Sequence, residues 1–153
     1  GGMGDKDVCY LTWECISDGM LVYERMKTRK QAKMVLTDKA LNIINKYKDK
    51  SYGNFVFPIL QEKHVTEKQK DARIDSIERK VNRVLERVRG MVMYKDKITW
   101  YSARGTFITK MDEAGFSTLT IAEFAGNSVQ AIQKHYFKNT KRDEICRTIN
   151  NII

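Results

Sequence analysis

The chain has 153 residues, of which 42% are hydrophobic and 31% charged, a length and composition typical of one globular domain with a core. Its net charge of +9 favours a polyanionic partner, with nucleic acid the first expectation and an anionic membrane surface the second. No apolar run approaches the roughly 20 residues of a membrane span, no signal peptide is visible, and the 3 cysteines form no metal-type pair, so we expect free thiols and a cytoplasmic protein.

The N-terminal quarter of the sequence predicts a helix followed by a β-hairpin. Residues 7–13 are typical of the end of a helix, and Asp18 and Gly19 form a favourable turn pair. Apolar and β-branched residues predict strands at 20–25 and 31–36. A tight basic loop of sequence MKTRK joins them, so its cations are expected at the tip of the hairpin.

The middle of the chain predicts two helices around an apolar segment. Thr37 or Asp38 is expected to cap the first helix. The apolar run 54–60 favours a third extended segment, although Pro58 disfavours a long central strand. Helical spacing of aliphatic residues predicts a long, highly charged amphipathic helix over 67–89, with the next glycine as its end.

Three short helices are predicted in the last third of the chain. Ser102 is expected to cap the first of them, and Gly115 to end it. The second spans 119–125, and the third begins near Ser128. The polar residues that stand out along these helices are, in order, Arg104, the pair Gly126 and Asn127, and Tyr136.

This order resembles the catalytic domain of tyrosine recombinases of the phage-integrase type, over about forty residues. In that family an H-x-x-R box opens one helix, a glycine–histidine pair ends the next, and the nucleophilic tyrosine follows nine residues after that histidine. Arg104 fits the arginine, and Tyr101 holds the position of the first histidine. Asn127 stands where the second histidine is expected, and Tyr136 lies nine residues further on.

The N-terminal segment resembles the same family. Trp13, Ile16 and Gly19 match a W-x-x-I-x-x-G pattern that precedes a β-hairpin, and Lys27 and Thr28 match a lysine–threonine pair at its turn. The resemblance implies that Lys27 donates a proton to the leaving 5′ oxygen of cut DNA. Considered without the resemblance, Lys27 is typical of a solvated hairpin lysine.

The resemblance also implies a reaction. Tyr136 would attack a DNA phosphate, Arg104 would bind its non-bridging oxygens, and Lys27 would serve the leaving group. Only about one phenol in a thousand is ionised at neutral pH when its pKa is near 10, so nearby cations must help Tyr136 lose its proton. No metal or cofactor is implied. Considered alone, Tyr136 is typical of a core aromatic, and Arg104 would pair with an acid such as Asp112 or Glu113.

Three positions depart from the family pattern. Gly4 falls where the first catalytic arginine is expected, and a glycine has no side chain to bind phosphate. Tyr101 can hydrogen-bond a phosphate but cannot act as a base at neutral pH, whereas the Asn127 amide can still donate. These departures support an alternative hypothesis, a degenerate recombinase fold that binds DNA or a partner recombinase without cleaving DNA. A third hypothesis, a basic helical protein unrelated to recombination, requires the motif order to be chance.

The expected fold is therefore α+β and mainly α-helical, an integrase-like catalytic domain over residues 1–153 with a small antiparallel β-sheet from residue 20 to about residue 57. The separate N-terminal core-binding domain of such enzymes is expected to be absent from this chain. The resemblance implies double-stranded DNA as partner, self-association into a tetrameric synapse on DNA, a monomer in isolation, and a bacterial or phage-derived origin. A last helix predicted over 143–153 would dock on a neighbouring protomer or pack on its own domain.

Overall fold

The computed structural model describes residues 2–136, and of Tyr136 it describes the backbone alone. The described chain is mainly helical with one small antiparallel sheet, which confirms the predicted fold class. In chain order the elements are α1 Asp5–Cys9, a 3₁₀ turn Trp13–Cys15, β1 Ile16–Ser17, β2 Met20–Glu24, β3 Gln31–Val35, α2 Asp38–Asn45, α3 Glu67–Met91, α4 Ser102–Glu113, α5 Thr118–Phe124 and α6 Val129–Tyr136.

The sheet has three strands in the order β1, β2, β3, all antiparallel. Asp18 and Gly19 connect β1 to β2, with φ angles of 50° and 72°. Positive φ at both central residues is the geometry that suits a two-residue hairpin, because its twist matches that of the strands. The two predicted strands are confirmed, whereas the short strand β1 has too few residues to show an alternating pattern.

The apolar run 54–60 was expected to supply a third extended segment, and this expectation is wrong. Among the described residues its only β pairing is an isolated bridge between Phe55 and Thr12. Val56 donates its backbone N–H to Leu11 O at 2.8 Å, so the backbone of the run pairs with the segment before the 3₁₀ turn, while the Val56 side chain packs in the core of the hairpin. Pro58 has no backbone N–H to extend the pairing.

One face of the hairpin forms the first core cluster. Leu21 and Tyr23 on β2 and Ala32 and Met34 on β3 are buried, while their sequence neighbours are more exposed, as a period of two requires. Helix α2 closes this core with Ile44. Its N-cap is Thr37, whose side chain accepts a hydrogen bond from Ala40 N, so one of the two predicted caps is confirmed.

Helix α3 begins with a capping box formed by Thr66 and Gln69 and runs one residue past Gly90. It packs on the rest of the domain near its N-terminal end, where Ile74 is buried against Cys9 and Leu60. Most of the remaining helix is exposed to solvent, which suits its alternating charges. The predicted helix is confirmed; Ile74 is the residue of its aliphatic face that is fully buried, while Ile77, Val81 and Leu85 further along are partly buried.

Helices α4, α5 and α6 form a second core cluster around Ile108, Ile121 and Ile132, each of them 0% exposed. Helix α4 has Tyr101, not Ser102, at its N-cap, because the Ser102 hydroxyl accepts a hydrogen bond from Thr99 N and lies in the first turn. Gly115 follows the end of α4 with a φ of 84°, as predicted.

Some sequence features fall beyond this description. The helix predicted over 143–153 lies outside the described residues, as does Cys146. Within residues 2–136, no helix is both long enough and apolar enough to cross a membrane.

Candidate active site

A cleft of about 890 Å³ lies between the N-terminal segment, the hairpin turn and the C-terminal helices. Residues 4–7 form one wall and residues 25–28 of the hairpin form the next. Tyr101 lies at the start of α4, and Ala131 and His135 of α6 complete the lining together with Asn127. Elements from both ends of the described chain therefore meet at one concave surface.

Three of the five residues predicted for the site share this cleft. Lys27 is exposed at the hairpin turn, Tyr101 is 52% exposed at the N-cap of α4, and Asn127 follows Gly126 in the turn between α5 and α6. The fourth, Tyr136, ends α6, the helix that presents Ala131 and His135 to the cleft. Its side chain lies outside the description.

The fifth predicted residue, Arg104, lies behind the cleft rather than on its surface, and is 1% exposed. Its Nη1 donates to Gly2 O and its Nη2 donates to Ala125 O at 2.8 Å, while Nε has no hydrogen-bond partner among the described residues. Arg104 therefore bonds backbone carbonyls, and not the acids of its own helix that the sequence offered as alternative partners.

A second buried arginine borders the cleft, and it was not among the residues predicted for the site. Arg25 follows β2, and its Nε donates to Asp7 Oδ2 at 3.3 Å while its Nη1 donates to Gly126 O at 3.2 Å. The other oxygen of Asp7 accepts from Met26 N at 2.9 Å. The alternation of the strand could have identified Arg25, because Leu21, Tyr23 and Arg25 occupy every second position and all face inward from the hairpin. An inward charge needs a partner.

Gly126 is shaped by these contacts. It has a φ of 57°, and a Cβ on it would lie 2.6 Å from Cδ of Arg25. Its carbonyl accepts from Arg25 and from the Thr28 hydroxyl, and the preceding carbonyl, of Ala125, accepts from Arg104. The last carbonyls of a helix lack partners within the helix and carry partial negative charge. Both arginines therefore hold the turn that positions Asn127.

Residues 1–143 match the phage integrase family. The match covers most of the 153 residues, including every residue that lines the cleft. The chain belongs to the phage integrase family. This integrase chain has no match among curated protein sequences.

Solved structures of recombinases share the fold of this integrase chain. A crystal structure of XerA recombinase matches with a TM-score of 0.66 and 16% identity, and covers 97% of this chain and 53% of its own. A Tn1549 transposon integrase in complex with transposon right-end DNA matches with a TM-score of 0.66 and 15% identity, and covers 99% of this chain and 56% of its own. The integrase chain thus spans about half the length of the structures that it matches.

In this integrase fold, Gly4 lies beside the Asp7–Arg25 pair. A Cβ on Gly4 would be 3.0 Å from Asp7 Oδ2 and 3.8 Å from Nη2 of Arg25. The family resemblance predicts an arginine side chain at Gly4. The space beside Gly4 is bordered instead by the Arg25 guanidinium and the Asp7 carboxylate.

The electrostatics of the integrase cleft follow from the same cluster. Burial, and next the negative charge of Asp7, raise the pKa of Tyr23 to about 12, and Arg104 and Arg25 oppose that rise. Both guanidinium groups and one carboxylate therefore act on a single buried phenol. A hydrogen bond to Asp71, 2.7 Å away, raises the pKa of Lys6 at the mouth of the cleft, so this lysine stays charged.

Proposed function

We propose that this chain is the catalytic domain of a tyrosine recombinase that cuts and rejoins double-stranded DNA through a 3′-phosphotyrosyl bond at Tyr136. The observation that carries the proposal is the cleft, in which Lys27, Tyr101 and Asn127 meet the helix that ends at Tyr136. The DNA-bound transposon integrase with the same fold supports DNA as the substrate.

The proposed reaction exchanges one phosphodiester for another. The phenolic oxygen of Tyr136 loses its proton to water and bonds to phosphorus, and the bond from phosphorus to the 5′ oxygen breaks. Lys27 gives that oxygen a proton, which leaves a free 5′ hydroxyl and a 3′-phosphotyrosyl bond. Attack by a 5′ hydroxyl on this bond restores the phosphodiester and releases Tyr136. The number of phosphate ester bonds is unchanged, so the step needs no external energy source.

The other cleft residues would act on the phosphate oxygens that are not part of the broken bond. The Tyr101 hydroxyl and the Asn127 amide each offer a hydrogen-bond donor where negative charge grows in the transition state. Arg104 would place a positive charge behind this site and hold the Gly126–Asn127 turn through Ala125. For Arg104 to bond the phosphate directly, Nη1 would have to exchange the Gly2 carbonyl for a phosphate oxygen.

The proposed assembly is a monomer in isolation that associates on DNA as a tetrameric synapse. The net charge of +9 supports contact with the phosphate backbone. Because the chain spans only about half of the matched structures, binding by the chain alone is expected to be weak.

A second candidate function is DNA binding without cleavage by a degenerate recombinase fold. Two observations favour it: Gly4 offers no side chain to a phosphate, and both terminal nitrogens of Arg104 bond backbone carbonyls. The two candidates share the fold and the DNA partner, and differ only in whether a covalent bond forms.

Covalent trapping separates the two candidates. The purified chain is incubated with nicked suicide duplexes, from which the 5′ product diffuses away, and adducts are resolved under denaturing conditions. We expect an adduct in the wild type and none in Tyr136→Phe. Lys27→Ala should slow adduct formation by about 10²–10⁴-fold, because it removes the proposed general acid. The matched control is Lys30→Ala, another exposed lysine of the same hairpin that does not line this cleft.

The outcomes assign the function. An adduct that persists in Tyr136→Phe would contradict the nucleophile. Equal rates for Lys27→Ala and Lys30→Ala would contradict the role of Lys27. Measurable binding of the same duplexes without any adduct would favour the degenerate fold.

A further inference from the structure

We propose that Arg25 supplies the phosphate-binding guanidinium that is missing at Gly4, with Asp7 as the residue that positions it. This inference rests on the proposed function, because it assigns a further catalytic residue to the same cleft. It goes beyond the family resemblance, which implies no role for Arg25.

Arg25 lies beside Gly4 on the wall of the cleft. Nη2 of Arg25 lies 3.8 Å from where a Cβ of Gly4 would be, and both residues line the cleft together with Lys27. The Arg25 guanidinium reaches the cleft from the hairpin, whereas a side chain at Gly4 would reach it from the N-terminal end of α1. A side chain at Gly4 would press against Asp7, so the Asp7–Arg25 pair and a family-type arginine compete for the same space.

Arg25 also has hydrogen-bond donors that the described residues do not use. A guanidinium has five N–H groups, and Arg25 uses one on Nε for Asp7 and one on Nη1 for Gly126. Nη2 has no hydrogen-bond partner among the described residues, so three N–H groups remain for a ligand. One N–H on Nη1 and one on Nη2 form the forked edge that binds phosphate oxygens in a bidentate manner.

Asp7 holds the Arg25 guanidinium in place before any ligand binds. Both oxygens of Asp7 are bonded, one to Arg25 and one to the backbone of Met26, so the carboxylate fixes the guanidinium relative to the hairpin turn that carries Lys27. A buried cation held before the reaction stabilises the charge of the transition state without reorganising. Lysine cannot replace this arrangement, since a single ammonium lacks the planar fork that reaches Asp7, Gly126 and a phosphate at once.

The test compares two nicked suicide duplexes, one with a normal scissile phosphate and one with a methylphosphonate there. The methylphosphonate lacks one negative charge, so a residue that neutralises this charge matters less on it. We expect Arg25→Gln to slow adduct formation by about 10²–10³-fold on phosphate and by less than about 10-fold on methylphosphonate. The control Arg29→Gln, an exposed arginine of the same hairpin with a side chain that is 74% exposed, should be unaffected on both.

A purely structural role for Arg25 predicts a different result, namely equal loss on the two duplexes, and that result would overturn the proposal. Loss of folding is checked by thermal unfolding of each variant. Arg25→Gln combined with Asp7→Asn removes both buried charges together, and Arg25→Lys keeps the charge. If Arg25→Gln alone does not fold, these two variants are compared on the same pair of duplexes against the same criterion.

A wild-type chain that forms no adduct would defeat the proposed function, and DNA binding then decides the role of Arg25. The affinity for an intact duplex is measured by fluorescence anisotropy at increasing KCl. Loss of one phosphate contact lowers the slope of log K against log salt by about one. That change in Arg25→Gln, and not in Arg29→Gln, supports phosphate binding by Arg25, whereas an unchanged slope overturns it.

Discussion

At the scale of single residues, the buried cluster behind the cleft contains a second polar atom, besides Nε of Arg104, that its surroundings do not satisfy. The Tyr23 hydroxyl is buried without a hydrogen-bond partner among the residues that the structure describes. Leaving a buried hydroxyl unpaired costs about 1–3 kcal/mol, because the group loses its bonds to water. The neighbouring charges of Asp7, Arg25 and Arg104 influence this phenol, and none of the three accepts or donates a bond to it.

We expect Tyr23→Phe to raise the free energy of unfolding by about 1 kcal/mol at pH 8, because phenylalanine fills the same space without the unpaired hydroxyl. The measurement is urea unfolding followed by tryptophan fluorescence. Tyr10→Phe is the matched control, since Tyr10 OH donates to Glu67 Oε2 at 3.1 Å and its loss removes a bond instead of a penalty. A Tyr23→Phe variant less stable than the wild type would show that the hydroxyl is satisfied.

We also expect Tyr23→Phe to change how the free energy of unfolding depends on pH in the alkaline range. The pKa of Tyr23 is about 12 in the folded chain, mainly through burial, against 10 in the unfolded chain. Above pH 10 the unfolded chain has released a proton that the folded chain still holds, so stability that is fully present below pH 10 is lost as the pH rises toward 12. Tyr23→Phe should lose less stability than the wild type between these values. Parallel pH profiles would contradict this assignment.

At the scale of elements, the turn between α5 and α6 connects the helical core to the hairpin. Asn127 N donates to Ala122 O and Gly126 N donates to Glu123 O, the pattern of a Schellman motif with glycine in the left-handed conformation. The end of α4 repeats this pattern at Gly115. The two turns differ in their surroundings, since Gly115 has no atom within 4 Å of an added Cβ and Gly126 meets Arg25 at 2.6 Å.

We therefore expect Gly126→Ala to destabilise the fold by about 1–3 kcal/mol more than Gly115→Ala. Both substitutions place an alanine in the left-handed conformation, which costs free energy in each case. Only Gly126→Ala also displaces Arg25 and Ala32. Chemical unfolding of the two variants and of the wild type measures the difference. Equal destabilisation would mean that Arg25 moves aside at no cost and that the turn does not depend on its close contact with the hairpin.

The elements that were predicted from the sequence are those whose signal is local. The alternation in β2 and β3, the cap at Thr37 and the glycine ends of α4 and α5 each depend on neighbouring residues. The prediction of an extended segment at 54–60 failed because an apolar run indicates that its residues are buried but not which segment they pair with. The backbone partner of this run, Leu11, lies far away in sequence. The start of α4 differed by one residue because the Ser102 hydroxyl bonds backwards to Thr99.

The candidate site was predicted in part, and the division has a physical cause. Lys27, Tyr101 and Asn127 stand at turns and helix ends, where a motif fixes their place, and all three line the cleft. The orientation of Arg104 depends on carbonyls of Gly2 and Ala125, which no local pattern records. The pairing of Arg25 with Asp7 likewise depends on how α1 packs on the hairpin.

At the scale of the whole molecule, the location of each positive charge decides whether it can contact DNA bound in the cleft. Some of the cations outside the cleft are already engaged with acids, as in the Lys110–Glu113 pair at 2.8 Å. Lys27 lines the concave surface and is exposed, so a DNA phosphate placed in the cleft would meet it directly. Net charge alone would treat these two lysines as equal, whereas a defined binding surface distinguishes them.

We expect the affinity of the chain for a short labelled duplex to fall steeply between about 50 and 200 mM KCl, because each neutralised phosphate releases condensed counterions. Lys27→Ala should lower the slope of log K against log salt by about one, and Lys110→Ala, which removes the same charge from an exposed site on α4, should leave it unchanged. Anisotropy titrations across the salt series measure both slopes. Equal reductions in the two variants would show that the chain binds DNA through its overall charge. That result would contradict the assignment of the cleft as the surface that binds the phosphate.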